Sequence, residues 1–265
     1  PSPRRHASLA PMLSAAEIKR LQRLRDDDRF RRAEGVFLVE GDKSVREFVD
    51  FGRFAGNLYV TPDWAGWKRD TTDREQPYNF HETTDAEMAR ISHLPSPSSI
   101  LAVLARPAPA ALDLAQLHLG FTLALDAVQD PGNVGTIIRI ADWYGFDRVL
   151  LGEGCADPFS QKVVNASKGS LARAELHQVD LPVVLTAAGV PVLGCDLDGA
   201  DVHSLAAMPA AIVVVGSEGR GLSAGVKATL TQRVTIPAYG RAESLNAAIA
   251  AAIVCDNLRR LAGDR

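Results

Sequence analysis

Five polar side chains in the second half of the chain have types and spacing that could do chemistry: Asn133, Arg139, Glu218, Ser244 and Asn246. They fall in three short segments. Asn133-Val-Gly-Thr-Ile-Ile-Arg139 follows a Pro-Gly turn, and Gly216-Ser-Glu-Gly-Arg-Gly-Leu222 follows an apolar run. Ile236-Pro237 and then Glu243-Ser-Leu-Asn-Ala-Ala248 lead into a long Ala/Ile stretch. Each segment lies where an expected strand gives way to a helix. An α/β protein builds ligand sites there, because glycines and helix N-termini expose backbone N–H groups. Carboxamides, a hydroxyl and a carboxylate can orient a ligand by hydrogen bonds. A guanidinium adds a permanent positive charge on a planar fork that suits phosphate.

Three of these side chains have competing structural roles. Asn133 suits a helix N-cap after Pro131-Gly132, and Ser244 is a natural N-cap for the last helix. Arg139 borders an apolar stripe, Val134, Ile137, Ile138 and Ala141, at i, i+3, i+4 and i+7. It lies about 9 Å along the helix from Asn133. A charge beside a core-facing stripe needs a partner. That partner is either a carboxylate such as Asp142 or Glu218, or a ligand's phosphate or ribose. The glycine-rich turn at 216–221 invites a dinucleotide reading, as in a nucleotide-dependent oxidoreductase. Its order is G-x-x-G-x-G, however, not G-x-G-x-x-G, and it comes late in the domain. No acidic residue ends a strand about 20 residues further on, as ribose binding would ask.

The elements that must position these groups read as two units. A length of 265 residues suits one large or two modest domains, and 46% hydrophobic content is ordinary for a globular protein. Residues 1–13, with Pro1, Pro3 and Pro11, read as a disordered arm. Ser14-x-x-Glu17 is a capping box ahead of Ile18, Leu21 and Leu24 at helical spacing. Residues 14–105 then form a small α/β domain, with strands at Val36–Val39, Asn57–Thr61 and Ser99–Ala105 and helices at Asp42–Phe51 and Thr84–Leu94. The stretch from Asp63 to Pro77 is loop-like. Residues 106–116, opening with the Pro/Ala spacer at 106–111, are expected to be a linker.

The domain at 117–265 alternates more regularly. Expected strands are Thr122–Leu125, Arg148–Leu151, Val192–Cys195, Ala211–Val215 and Val234–Ile236. Expected helices are Val134–Tyr144, Pro158–Gly169, Pro182–Ala188, Ala224–Leu230 and Ser244–Leu261. Nearly continuous apolar strands between helices imply a parallel sheet covered on both faces. The last helix is apolar nearly all round, so it should be buried on more than one side, with a partner subunit among the candidates.

Composition excludes some classes. No apolar stretch approaches the roughly 20 residues of a membrane span. The N-terminus lacks the pattern of a signal peptide, so a cytoplasmic protein is expected. Cys155, Cys195 and Cys255 are far apart and form no metal-spaced pair, and the six histidines are scattered, so no metal site is expected. The net charge of −3 does not advertise nucleic-acid binding. Lys19, Arg20, Arg23, Arg25, Arg29, Arg31 and Arg32 nevertheless crowd one region around Asp26-Asp27-Asp28. Such a cluster either holds phosphates or is a solvated helix laced with ion pairs.

With the three segments in this order, the sequence resembles the SpoU (TrmH-type) ribose 2′-O-methyltransferases of the SPOUT superfamily. Asn133 and Arg139 match the first motif, Glu218 with its glycines the second, and Ser244 with Asn246 the third. The likeness runs from about Phe121 to the C-terminus, and 157–170 also looks family-like. It implies the cofactor S-adenosylmethionine, held largely by backbone groups at Gly216, Ile236 and Leu245, with Gly221 beside them and Asp196 near the adenosine. It also implies a C-terminal trefoil knot, which periodicity cannot show, and a homodimer. Residues 37–43 resemble part of the small ribosomal-protein-like domain that often precedes this catalytic domain and binds RNA. The expected substrate is therefore RNA, ribosomal RNA ahead of tRNA. By the same resemblance, Arg139 contacts the reacting nucleotide.

Overall fold

The computed structural model describes residues 12–51, 54–64, 78–146 and 148–263. The chain divides into two compact units, Pro1–Pro107 and Ala108–Arg265. Most of the expected arm at 1–13 lies outside the described residues. Leu13 does not behave as an arm. It is buried, and its backbone N–H donates to Glu87 Oε1 at 2.9 Å.

The first unit runs α1 (Ala15–Asp26), α2 (Asp28–Ala33), β1 (Val36–Glu40), α3 (Asp42–Phe51), β2 (Gly56–Val60), β3 (Tyr78–Glu82), α4 (Asp85–Ile91) and β4 (Ile100–Ala105). Its sheet has the order β1-β4-β2-β3, with β2 and β3 parallel and the other pairs antiparallel. Ile18, Leu21 and Leu24 of α1 pack with Tyr59, Met88 and Leu101. Ser14 caps α1 by accepting from the Glu17 N–H at 3.1 Å. The return half of the expected capping box is missing, because the Glu17 carboxylate is taken by Arg20 and the Tyr59 hydroxyl. A complete box forms instead at Thr84 and Glu87. Strand β3 was not expected, and much of the stretch before it, 65–77, lies outside the described residues.

The arginine cluster of α1 and α2 is largely ion-paired within the unit. Arg20 meets Glu17 and Glu34, Arg23 meets Asp27, Arg25 meets Asp26, and Arg31 and Arg32 share Asp28. Lys19 and Arg29 are exposed and make no ion pair among the described residues.

The second unit runs β5 (Phe121–Asp126), α5 (Pro131–Tyr144), β6 (Arg148–Leu151), α6 (Gln161–Ser167), β7 (Glu175–Gln178), α7 (Leu181–Ala187), β8 (Val192–Asp201), β9 (Ala211–Gly216), α8 (Ala224–Lys227), β10 (Gln232–Thr235) and α9 (Ala247–Ala262). The strands form one sheet in the order β10-β8-β9-β5-β6-β7, and every pair is parallel. The central strands β5, β6 and β9 are buried almost throughout, as their unbroken apolar runs require when helices cover both faces. Strand β7 went unforeseen because Glu-Leu-His-Gln carries a single fully buried side chain at the sheet edge.

Three departures from the sequence reading shape the site. Helix α5 begins at Pro131 with Asp130 as its N-cap, so Asn133 sits inside the first turn. Asp130 Oδ1 accepts the Asn133 N–H at 2.8 Å, which frees the Asn133 carboxamide for other work. Helix α9 begins at Ala247 with Asn246, not Ser244, as its cap. Finally, the pairing of β10 with β8 jumps from Arg233↔Gly194 to Val234↔Ala200, which throws residues 195–199 out of register. Asp196 lies in that excursion.

Helix α9 packs on α5 and β9. Ala247, Ala248, Ala251, Val254, Cys255 and Leu258 are buried in its own unit, so the all-round apolar surface is only partly available to a partner. Ile249 remains 52% exposed on α9, and Trp143 is 81% exposed on α5.

Candidate active site

The C-terminal ends of β8, β9 and β10 and the start of α9 enclose a cavity of about 630 Å³. Its walls include Val215, Gly216, Ile236, Leu245, Ala247 and Val254, with polar groups from Asp196, Glu218, Lys227 and Ser244. An apolar chamber of this size with a few convergent polar groups is the usual form of a small-molecule site. It opens outside the carboxyl ends of parallel strands, where α/β sheets bind ligands.

The wall at Gly216 is fixed by a close approach. A Cβ there would stand 2.3 Å from the carbonyl carbon of Gly221. The two backbones meet because Ser217 and Gly221 exchange hydrogen bonds, Ser217 N–H to Gly221 O at 3.2 Å and Gly221 N–H to Ser217 O at 2.8 Å. Gly221 itself has φ +64°, which favours glycine. The base of the turn is tied down by Asp126 at the end of β5, whose Oδ2 accepts the Ser223 N–H at 2.6 Å. On the opposite wall, Lys227 Nζ lies 3.2 Å from Asp196 Oδ2. Burial pushes the Asp196 carboxyl up, but Lys227 and the Asp198 N–H outweigh it and hold the group below the usual carboxylate range.

At the rim, the three segments meet in one hydrogen-bonded chain. Asn246 Oδ1 accepts the backbone N–H groups of Ala248 at 2.9 Å and Ile249 at 3.3 Å. Its Nδ2 donates to Asn133 Oδ1 at 2.9 Å. Asn133 Nδ2 in turn donates to Glu218 Oε1. Each amide is thereby oriented: the positive end of α9 fixes Asn246, Asn246 fixes Asn133, and Asn133 presents its donor to the carboxylate. Glu218 Oε2 has no partner among the described residues, and Glu218 lines the cavity. Ser244 also lines the cavity and is exposed.

Arg139 is not part of this chain. It is exposed on α5 and makes no ion pair or hydrogen bond among the described residues. Both carboxylates considered as its partners are engaged elsewhere. Asp142 pairs with Arg173, with Nη2 to Oδ2 at 2.6 Å, and Glu218 is held by Asn133. The guanidinium therefore stands free for a ligand. The structural ion pair that its position beside the stripe suggested does not form, because Asp142 is taken by Arg173 and Glu218 by Asn133, and Arg139 is exposed.

The relatives of this chain carry the same architecture. Residues 120–256 match the model of the SpoU rRNA Methylase family, and residues 15–102 match the MRM3-like substrate binding domain. The 23S rRNA (guanosine(2553)-2′-O)-methyltransferase RlmP of Bacillus subtilis is 32% identical over 84% of this chain and 88% of its own length. The chain belongs to the SpoU rRNA methylase family. Among solved structures, a TrmH-family protein from Porphyromonas gingivalis superposes with TM-score 0.81 at 41% identity, covering 94% of this chain and 99% of its own. An AdoMet-bound rRNA methyltransferase from Sinorhizobium meliloti gives the same TM-score of 0.81 at 28% identity, over 95% and 97%.

In this SpoU family member the cavity gathers Gly216, Ile236, Leu245, Asp196 and Gly221 along with Glu218 and Ser244. Asn133 and Asn246 join it through Glu218. Several contributors were not singled out from the sequence. Asp126 carried a signal, an acidic residue ending a buried strand. Lys227 sits at the end of a four-residue helix and had none. Arg220 and Tyr239 also line the cavity and were read only as parts of their loops.

Proposed function

We propose that this protein transfers a methyl group from S-adenosylmethionine to a ribose 2′-hydroxyl of ribosomal RNA. The observation that carries the reading is the Asn246–Asn133–Glu218 chain at the rim of the cavity, which joins the three family segments beside a chamber of cofactor size. The lining suits that cofactor. Apolar walls at Val215, Ile236 and Leu245 match an adenine ring, and the carboxylates of Asp196, Glu218 and Glu243 match ribose hydroxyls and a sulfonium cation. When bound, the cofactor supplies the activated methyl group.

The chain's own residues do the rest. Gly216, Ile236 and Leu245 hold the cofactor through backbone groups, with Gly221 shaping the turn and Asp196 at the adenosine end. Glu218 Oε2 is the acceptor available to the substrate hydroxyl, and Ser244 lines the same cavity. Asn133 and Asn246 keep Glu218 in one orientation, so less reorganisation is needed as the reaction proceeds. A guanidinium offers donors and no acceptor, so Arg139 is not assigned the part of base. Its charge instead holds the nucleotide's phosphate and favours loss of the hydroxyl proton.

The match of the first unit to a substrate binding domain supports a role for it in holding the RNA. The edge strand β10 is followed by a crossing back to pack α9 on α5 and β9, and this return is the segment that would thread a trefoil knot. Ile249 and Trp143 are the exposed apolar residues suited to a homodimer. No helix among the described residues is long and apolar enough to cross a membrane, and the reading places the protein in the cytoplasm. Calorimetric titration with S-adenosylmethionine and with NAD, followed by methyl transfer to ribosomal RNA and to tRNA, tests the assignment. Binding of S-adenosylmethionine alone, with transfer to ribosomal RNA, supports it. NAD binding would return the reading to an oxidoreductase.

A further inference from the structure

Two exposed side chains at the cavity, Tyr239 and Arg220, make no side-chain hydrogen bond or ion pair among the described residues. Tyr239 lines the cavity yet is 96% exposed. No ring stacks on it, and its hydroxyl has no partner among the described residues. Arg220 lines the same cavity, is exposed, and makes no ion pair among the described residues. Each is carried on a loop. Arg220 lies between Gly219 and Gly221, above the Ser217–Gly221 bridge and the Asp126 anchor. Tyr239 lies beyond the end of β10, between Ala238 and Gly240. A Cβ placed on Gly219, Gly221 or Gly240 would meet nothing within 4 Å, so the space beside these glycines is open.

An exposed aromatic ring and an unpaired guanidinium over a nucleotide-sized site are complementary to a single-stranded nucleotide. Unstacked bases are recognised by stacking on aromatic side chains, and rim arginines bind phosphate without reading sequence. We propose that Tyr239 stacks on the base of the nucleotide being methylated and that Arg220 holds an adjoining phosphate, so that together they draw an unpaired nucleotide over the cavity. This rests on the methyltransferase reading above. It predicts that the target nucleotide is unpaired when it reacts. It also predicts that Tyr239 and Arg220 contribute to RNA binding and not to cofactor binding.

The test compares wild type with Tyr239→Ala, Tyr239→Phe and Arg220→Ala in steady-state methyl transfer to ribosomal RNA, alongside S-adenosylmethionine titration. Tyr239→Ala should raise the KM for RNA about tenfold, the loss expected for one stacked base. Tyr239→Phe should restore it, and cofactor affinity should stay within about twofold throughout. Arg220→Ala should lower the log–log salt slope of RNA binding by about one unit or less. Tyr239 is too exposed for these changes to affect folding. An unchanged KM in Tyr239→Ala overturns the proposal, and so does weakened S-adenosylmethionine binding, which would place the ring on the cofactor. A wild-type protein that neither binds S-adenosylmethionine nor methylates RNA would instead refute the underlying function.

Discussion

Asn246 carries two separable duties, and substituting it separates folding from chemistry. Its Oδ1 caps α9 by accepting two backbone N–H groups, while its Nδ2 donates to Asn133. Asn246→Ala removes both. Loss of an N-cap costs about 1 kcal/mol. The exposed amide–amide bond adds about 0.5–1 kcal/mol. The sum, about 1.5–2 kcal/mol, lowers Tm by roughly 3–8 °C for a domain of this size. Asn246→Asp keeps an acceptor at the cap, and a carboxylate at a helix N-terminus is itself favourable by about 0.3–1 kcal/mol. Its Tm should therefore stay within about 2 °C of wild type. The aspartate cannot donate to Asn133, however, so that carboxamide loses its fixed orientation and Glu218 loses its neighbour's support. Methyl transfer should fall about 10- to 100-fold in Asn246→Asp, close to the loss in Asn246→Ala. Calorimetric melting and single-turnover methyl transfer give the two readouts. Full activity in Asn246→Asp would refute the idea that the amide chain orients Glu218. Equal destabilisation by both substitutions would refute the capping role.

Other consequences are equally specific. Arg139→Ala should leave Tm and S-adenosylmethionine affinity unchanged, because the side chain is exposed and unpaired, while methyl transfer falls by about 100-fold or more; a wild-type rate would remove Arg139 from the reaction. For Asp142, burial pushes the carboxyl up, yet the Arg173 hydrogen bonds outweigh it and hold the group below its ordinary range. A depressed native pKa gives stability that is present above the unfolded value and lost as pH falls through the native one. Arg173→Ala should therefore move the acid-unfolding midpoint to higher pH in a circular-dichroism titration, and an unmoved midpoint would contradict the pair's contribution. In the first unit, only Lys19 and Arg29 of the basic cluster stand without an ion pair among the described residues. The Lys19→Ala/Arg29→Ala protein should lose at most about two units of the salt slope of RNA binding, far fewer than seven basic groups would suggest; a larger drop in filter binding would mean that the ion pairs open on RNA.

The alternation of elements in the second unit was legible because buried parallel strands are written as unbroken apolar runs, as in Ala211–Gly216. The site segments were legible because glycines and polar residues interrupt those runs. The cap assignments were not. Asp130 and Asn133 are both good caps, as are Ser244 and Asn246, and only tertiary contact decides between them. The decision matters, since placing Asn133 inside the turn is what lets its carboxamide bridge Asn246 and Glu218. Strand β7 was hidden by its polar edge position. The register jump between Gly194 and Ala200, which delivers Asp196 to the cavity, leaves no trace in hydropathy. The basic cluster was ambiguous in sequence because alternating Arg and Asp suit either phosphate binding or ion pairing, and the folded helices show mostly ion pairs.

The central claim is ribose 2′-O-methylation of ribosomal RNA by this one chain. Its most direct measurement is incubation of purified protein with methyl-labelled S-adenosylmethionine and unmodified ribosomal RNA, followed by alkaline hydrolysis. A 2′-O-methyl group blocks cleavage at its own linkage. Label is expected in an alkali-resistant dinucleotide at a single site, formed about 10- to 100-fold more slowly by the Asn246→Asp protein. Label released in mononucleotides, as from a methylated base, or no transfer despite S-adenosylmethionine binding, would contradict it.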